Sequence, residues 1–222
     1  MILGLCGAGG MGRRILELAR QIQSVSDRWE EIVFVLDRDY MSSADELVNG
    51  VAVYSFDDIY QKYDPSEIEF SITVGETEYR KDMADNITGK GYSLATLIHP
   101  SVHIPESTQI LDGVTILDFV VISPNVVIGK NTMVQQLLCI GHDCVIGENC
   151  DIASNVAIAG NCHIGNNVYI GMSASIIEKT TVGDDSVIGM GSVVLRDVPS
   201  NVIVMGNPAR VIKKKNDGQV FK

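Results

Sequence analysis

The sequence predicts an α/β domain over residues 1–96, a parallel β-helix over 97–212 and a basic tail over 213–222. Three observations carry that division. Residues 98–194 repeat every six positions without one slip of register. Residues 1–96 instead alternate short apolar runs, glycine turns and amphipathic stretches. The chain, at 222 residues, is also long enough for two small domains with real cores.

The first stretch, "ILGLCGAGGMGRRILELARQI", reads as a strand, a glycine turn and a helix with apolar residues at helical spacing. Gly7, Gly9 and Gly12 match G-x-G-x-x-G, a turn whose backbone amides and helix dipole can hold a phosphate. The same glycines would also serve plain strand–helix packing. A second strand, "EIVFVLDRD", ends on Asp37 and Arg38, and "IEFSITVGETEYRKDMADNI" repeats strand, turn and helix. Together these describe a small Rossmann-like, doubly wound domain. Under about 100 residues is too short for the two-halved dinucleotide fold, so a mononucleotide or nucleotide sugar fits better than NAD.

From Ile98 onward, every sixth residue up to Val194 is Ile or Val, seventeen positions in all. Four residues after each comes a small or branched residue, such as Val126, Cys144, Cys150, Val156 or Ala174. Asn or Asp often stands third after the Ile, as in Asn125, Asn131, Asp143, Asn149 and Asn161, where a left-handed turn suits it. A helix needs a period of 3.6, and hairpins do not repeat turn chemistry every six residues. Short strands stacked as coils fit both facts, three hexads closing one triangular coil of 18 residues. Each inward Ile would contribute roughly 1.5–3 kcal/mol.

Composition narrows the function. The formal net charge of −11 argues against a nucleic-acid partner, so a phosphate-bearing ligand must be held by amides or a few placed cations. No apolar run is long enough to span a bilayer, and "MILGLCGAGG" is no signal peptide. The five cysteines have no C-x-x-C spacing; an odd number without a secretion signal suggests reduced thiols and a cytoplasmic protein. Cys144, Cys150 and Cys162 take the small inward position of the hexad, which makes them core residues.

His142, in "CIGHDCVIG", interrupts the hexad pattern with a titratable group. His99 and His103 read as structural or surface groups. His163 holds a different hexad position from His142, and a zinc site in this kind of repeat needs three histidines, so no metal is expected. Asp143 can be read as a partner of His142 or as the ordinary turn residue of its hexad.

The whole chain resembles the bacterial sugar acetyltransferases of the NeuD/PglD type, over residues 2 to about 212. The likeness rests on "GAGGMG", "LDRD", "TVGETEYRK", "LIHPS", "IGHDCVIG", "AIAGNCHIG" and "VMGNPARVI". It implies a left-handed β-helix, a homotrimer, and acetyl-CoA bound between subunits. The acceptor would be a sugar or nucleotide sugar, a UDP-linked amino sugar or else a free sialic acid, and a non-catalytic β-helix trimer is the alternative. Carried over residue by residue, nucleotide-sugar contacts fall on Gly9, Gly10, Met11, Asp37, Arg38 and Gly75. The base would be His142, oriented by Asp143, and acetyl-CoA would touch Asp151, Gly160, Met172 and Met190. Two positions depart from the pattern: Asp151 replaces a histidine found in some members, and Glu76 follows Gly75 where relatives often carry Asn or Asp.

Coil arithmetic adds three expectations. His142 projects outward from a corner, and one coil on, at 142 + 18, stands Gly160, whose amide could hold an oxyanion. The outward residues Val121, Cys139, Ala157, Ser175 and Val193 stack into a stripe suited to another prism. At about 4.8 Å per coil, His142 stands roughly 11 Å above the floor of the prism, within reach of a nucleotide sugar held below.

Overall fold

The computed structural model describes residues 1–41 and 47–215, so the last part of the expected tail, 216–222, lies outside the described residues. The first half contains β1 (Ile2–Cys6), α1 (Gly10–Val25), β2 (Glu31–Leu36), β3 (Leu47–Val48) and β4 (Val51–Ser55). Then follow α2 (Phe56–Lys62), β5 (Ile68–Ile72), α3 (Thr77–Gly89) and β6 (Ser93–Leu94). They form one sheet in the order β3-β4-β2-β1-β5-β6, parallel except for the β3–β4 pair. β1 is buried along its whole length because helices cover both faces of a central parallel strand. The unit β4–α2 was not anticipated from the sequence. Its helix is only seven residues long, too short to show a period, and starts because Ser55 Oγ accepts the Asp58 N–H, with Asp57 and Asp58 in the first turn.

The second half is a triangular prism. Its two-residue strands pair in parallel with the strand 18 residues on, such as Cys139↔Ala157 and Ile140↔Ile158. The first face runs from Val121–Ile122 to Val193–Val194 and the second from Gln109–Ile110 to Thr181–Val182. The third runs from Leu97–Ile98 to Val187–Ile188 and is extended by Val202–Met205 and Arg210–Lys214. The Ile column and the small residues, including Cys144, Cys150 and Cys162, fill one continuous core. The corner Asn and Asp residues adopt the expected positive φ, between 52° and 61°. Ile104 belongs to no strand, so the first coil is incomplete. The expected boundary at 212/213 moves as well: Arg210–Lys214 is a strand antiparallel to Val202–Met205, and Lys213 and Lys214 belong to that hairpin.

The two domains meet on the third face. Leu97, Met133 and Leu117 share a core with Leu3, Leu5, Leu16 and Ala19. Ser71 Oγ lies 3.4 Å from Thr115 Oγ1, and Arg14 pairs with Asp118 at 3.0 Å. The α/β domain thus rests against the side of the prism and does not sit below its floor. Among the described residues no helix is long and apolar enough to cross a membrane.

Candidate active site

His142 occupies the corner between the first and second faces, two residues beyond Ile140. The left-handed backbone of Asp143 (φ 57°) turns its carboxylate back onto the ring, with Oδ2 2.7 Å from His142 Nδ1. An ionised carboxylate can only accept, so Nδ1 carries the hydrogen of this bond, and the lone pair of the neutral ring is then on Nε2. The other oxygen, Oδ1, accepts from Asn125 Nδ2 at 2.9 Å. The hydrogen bond from His142, and then that from Asn125, hold the Asp143 carboxyl below the usual carboxylate range, so it stays ionised at neutral pH. Both readings of Asp143 therefore coexist: it is a turn residue and a partner of His142. Asn125 was passed over in the sequence as a plain corner residue; it stands one coil, 18 residues, before Asp143.

The imidazole lies over the next coil at Gly160. A Cβ on Gly160 would stand 2.7 Å from Nε2 and 2.8 Å from Cε1 of His142, so only glycine leaves room for the ring. Asn161 N–H donates to His142 O and Ala159 N–H to Ile176 O, which fixes the coil on either side. Among the described residues the Gly160 N–H meets no acceptor. An imidazole, a carboxylate bonded to it and an amide without an acceptor thus share one edge, groups whose chemistry would suit proton abstraction with oxyanion stabilisation.

The glycine turn opens a second site. Gly7, Ala8, Gly9, Arg13, Leu36, Asp37, Phe56, Val74 and Tyr79 line a cavity of about 490 Å³ at the carboxyl ends of β1, β2 and β5. Gly9 caps α1 without a side-chain bond, so the first amides of the helix are open to an anion. The third glycine is required because a Cβ on Gly12 would collide with Gly7 O. Of the expected contacts, Gly9 and Asp37 line this cavity; Asp37 Oδ2 accepts from Tyr79 OH at 2.9 Å. Gly10 and Met11 begin α1 at its rim, and Gly75 follows Val74. Arg38 turns away, onto Asp58 at 2.9 Å and Ser55, so it is not a lining group. Arg13, Phe56 and Tyr79, which also line the cavity, were missed; the cation at Arg13, one turn into the helix that follows the glycine turn, was a usable signal.

Three expected cofactor contacts do not join His142. Met172 and Met190 follow third-face strands and stand on the corner leading to the first face, a full face away. Asp151 is corrected outright. It points outward from the third face, the covered one, and is 2% exposed, with Oδ1 accepting from Gln135 Nε2 at 2.9 Å. No open surface remains there for a cofactor. Burial pushes its carboxyl up to about 6, against the pull of Arg80. Since the folded protein prefers the neutral form, this group's contribution to stability is complete below pH 4 and is lost as pH rises through 6. Asp151→Asn should therefore raise unfolding free energy by about 1–3 kcal/mol at pH 7.5 and leave it unchanged at pH 4. Urea melts at the two pH values read this directly.

The two sites stand apart within one chain. The α/β domain covers the third face, and His142 lies on the edge shared by the other two, opposite it.

Residues 3–87 match the family model of the PglD N-terminal domain, and residues 125–160 and 161–196 match the bacterial transferase hexapeptide model. The chain resembles the acetyltransferase domain of PglB from Neisseria gonorrhoeae FA1090 with 29% identity and a TM-score of 0.86, over 95% of this chain and 99% of that one. WeeI from Acinetobacter baumannii AYE matches with 28% identity and a TM-score of 0.86, over 96% and 100%. A histidine-to-asparagine mutant of perosamine N-acetyltransferase from Caulobacter crescentus, in complex with CoA and GDP-perosamine, matches with 26% identity and a TM-score of 0.85, over 98% of each chain. Among curated proteins no sequence matches. The chain is a sugar acetyltransferase of the NeuD/PglD type, and its prism is a left-handed β-helix.

Proposed function

We propose that the protein transfers an acetyl group from acetyl-CoA to an amine or hydroxyl of a nucleotide-linked amino sugar. The observation that carries this is the pairing, in one chain, of the His142–Asp143–Asn125 relay with a nucleotide-sized cavity at the glycine turn. The PglB acetyltransferase domain is known in complex with acetyl coenzyme A, and the Caulobacter enzyme with CoA and GDP-perosamine. For this chain the sequence resemblance implies UDP as the carrier.

In this reading the diphosphate lies on the amides at Gly9 and Gly10 with Arg13 beside it, and Asp37 accepts from the ribose or base. Anchoring the remote nucleotide orients the reacting group. Nε2 of His142 takes the proton of the acceptor as its nitrogen or oxygen attacks the thioester carbonyl carbon. The Gly160 N–H stabilises the resulting oxyanion. Collapse breaks the carbon–sulfur bond, and the CoA thiolate takes the proton from the imidazolium.

Because one chain separates the two sites, the acting His142 belongs to a neighbouring subunit of a homotrimer. Surface chemistry supports this. Val121, Cys139, Ala157 and Ser175 are exposed along the first face, and Phe119 and Leu137 flank them at positive φ (57° and 59°), 67% and 59% exposed. Bulky apolar side chains rarely take that conformation on a wetted surface, and a contact face explains them. Met172 and Met190, on the next corner, would then approach the partner's His142 and line the cofactor cleft.

Thiol release from acetyl-CoA, measured over free amino sugars, a free sialic acid and their UDP- and GDP-linked counterparts, tests the function. A nucleotide-linked amino sugar is expected to react with much the higher kcat/KM. Equal efficiency on free and nucleotide-linked sugar contradicts the reading.

A further inference from the structure

We infer that Arg80 is a positioning residue that ties the nucleotide-binding loop to the coil carrying His142; this rests on the nucleotide-site reading above. Arg80 lies on α3 and is fully buried between the two domains. Its Nη1 donates to Ile72 O at 2.9 Å and Val74 O at 2.8 Å. Its Nη2 donates to Asn131 O at 2.7 Å and Asn131 Oδ1 at 3.1 Å. All four terminal N–H groups are thus committed, and only Nε lacks an acceptor among the described residues.

The two ends of this fork hold different parts of the reaction. Ile72 ends β5, and Val74 lines the nucleotide cavity just before Gly75. Asn131 is the corner between the second and third faces, buried, with φ 52°. Its Nδ2 donates back to Arg80 O at 3.2 Å and to Asn149 Oδ1 at 2.8 Å. The 18 residues that begin at Asn131 form the coil that contains His142, as the pairing of Met133 with Asp151 shows. One rigid guanidinium therefore sets the height of the loop against the height of the base.

A purely adhesive role would not need this residue. Burying a cation is costly, and packed apolar groups of similar volume often stabilise a junction equally well or better. What the planar fork adds is direction, since it holds two carbonyls on one side and two oxygens on the other in a fixed plane. In the symmetric assembly every nucleotide loop would then stand at the same height as the neighbour's His142.

Two variants test this. Arg80→Lys keeps the charge but cannot fork across four acceptors. Asn131→Gly keeps the left-handed backbone and its carbonyl while deleting only the side-chain bonds. Steady-state kinetics with the best nucleotide sugar of the panel should show KM for that sugar raised about tenfold in Arg80→Lys. Asn131→Gly should shift it less in the same direction, and KM for acetyl-CoA should stay at the wild-type value in both. Hydrogen–deuterium exchange of the unliganded protein should quicken at residues 73–76 in both variants and stay constant at 139–145. Unchanged exchange at 73–76 overturns the inference, as does an equal rise of both KM values. If the wild type acetylates no nucleotide-linked sugar, the functional reading falls on its own, and the exchange comparison still decides for Arg80.

Discussion

Replacing His142 with alanine is expected to lower kcat by about 10²–10⁴-fold, the usual cost of losing a general base. KM for acetyl-CoA and the melting temperature should stay close to wild type. The side chain is 61% exposed and lies outside the Ile column, so its removal leaves no cavity in the core. The loss should come from the proton that Nε2 no longer accepts as the acceptor attacks. Asp143→Asn should cost less, because an amide can still touch Nδ1 but no longer stabilises the imidazolium. Near-normal turnover by His142→Ala would remove the base from the account.

Gly160→Ala is expected to cost about 10²-fold in kcat, for two reasons that act together. The new methyl would stand 2.7 Å from Nε2 and drive the imidazole off the edge. It would also crowd the Gly160 N–H, which meets no acceptor among the described residues. Folding should survive, because the ring is largely exposed and can swing into solvent. A stable but slow enzyme is the signature. A Gly160→Ala variant with wild-type kcat would show that neither the stacked ring nor this amide takes part.

Much of this was legible in the sequence because the β-helix constrains each coil alike. The inward column must be Ile or Val at every turn, and the corner after it must tolerate positive φ, so both recur openly at a step of six. His142 stood out against that regularity. What the repeat cannot reveal is which of its faces is covered. Thr115, Met133 and Asp151 hold the same outward hexad position as Val121 and Cys139, yet the first three are buried and the last two exposed. The difference is made by the α/β domain, not by the repeat. Asp151 was misplaced for that reason: the resemblance supplied a role, and the covering domain removed the surface it needed. Asn125 was hidden differently, because it is one corner Asn among many, and nothing in the repeat marks which pair of corner residues one coil apart serves the histidine. Arg80 looked like one more polar residue of α3, since nothing local announces that a helix face is to be buried against another domain.

The measurement that bears most directly on the central claim is complementation between two inactive variants. One carries His142→Ala and keeps its nucleotide site; the other carries Arg13→Ala and Asp37→Ala and keeps its base. Each is purified, shown to be folded, then unfolded and refolded together in equal amounts. If the nucleotide sugar held by one subunit is acetylated by His142 of its neighbour, random mixing leaves about one quarter of the sites with both groups intact. Acetyl transfer to the nucleotide-linked sugar should return to about that fraction of wild type, although neither variant is active alone. A refolded mixture that forms mixed trimers yet stays inactive would contradict the account, because base and nucleotide site would then have to come from the same chain.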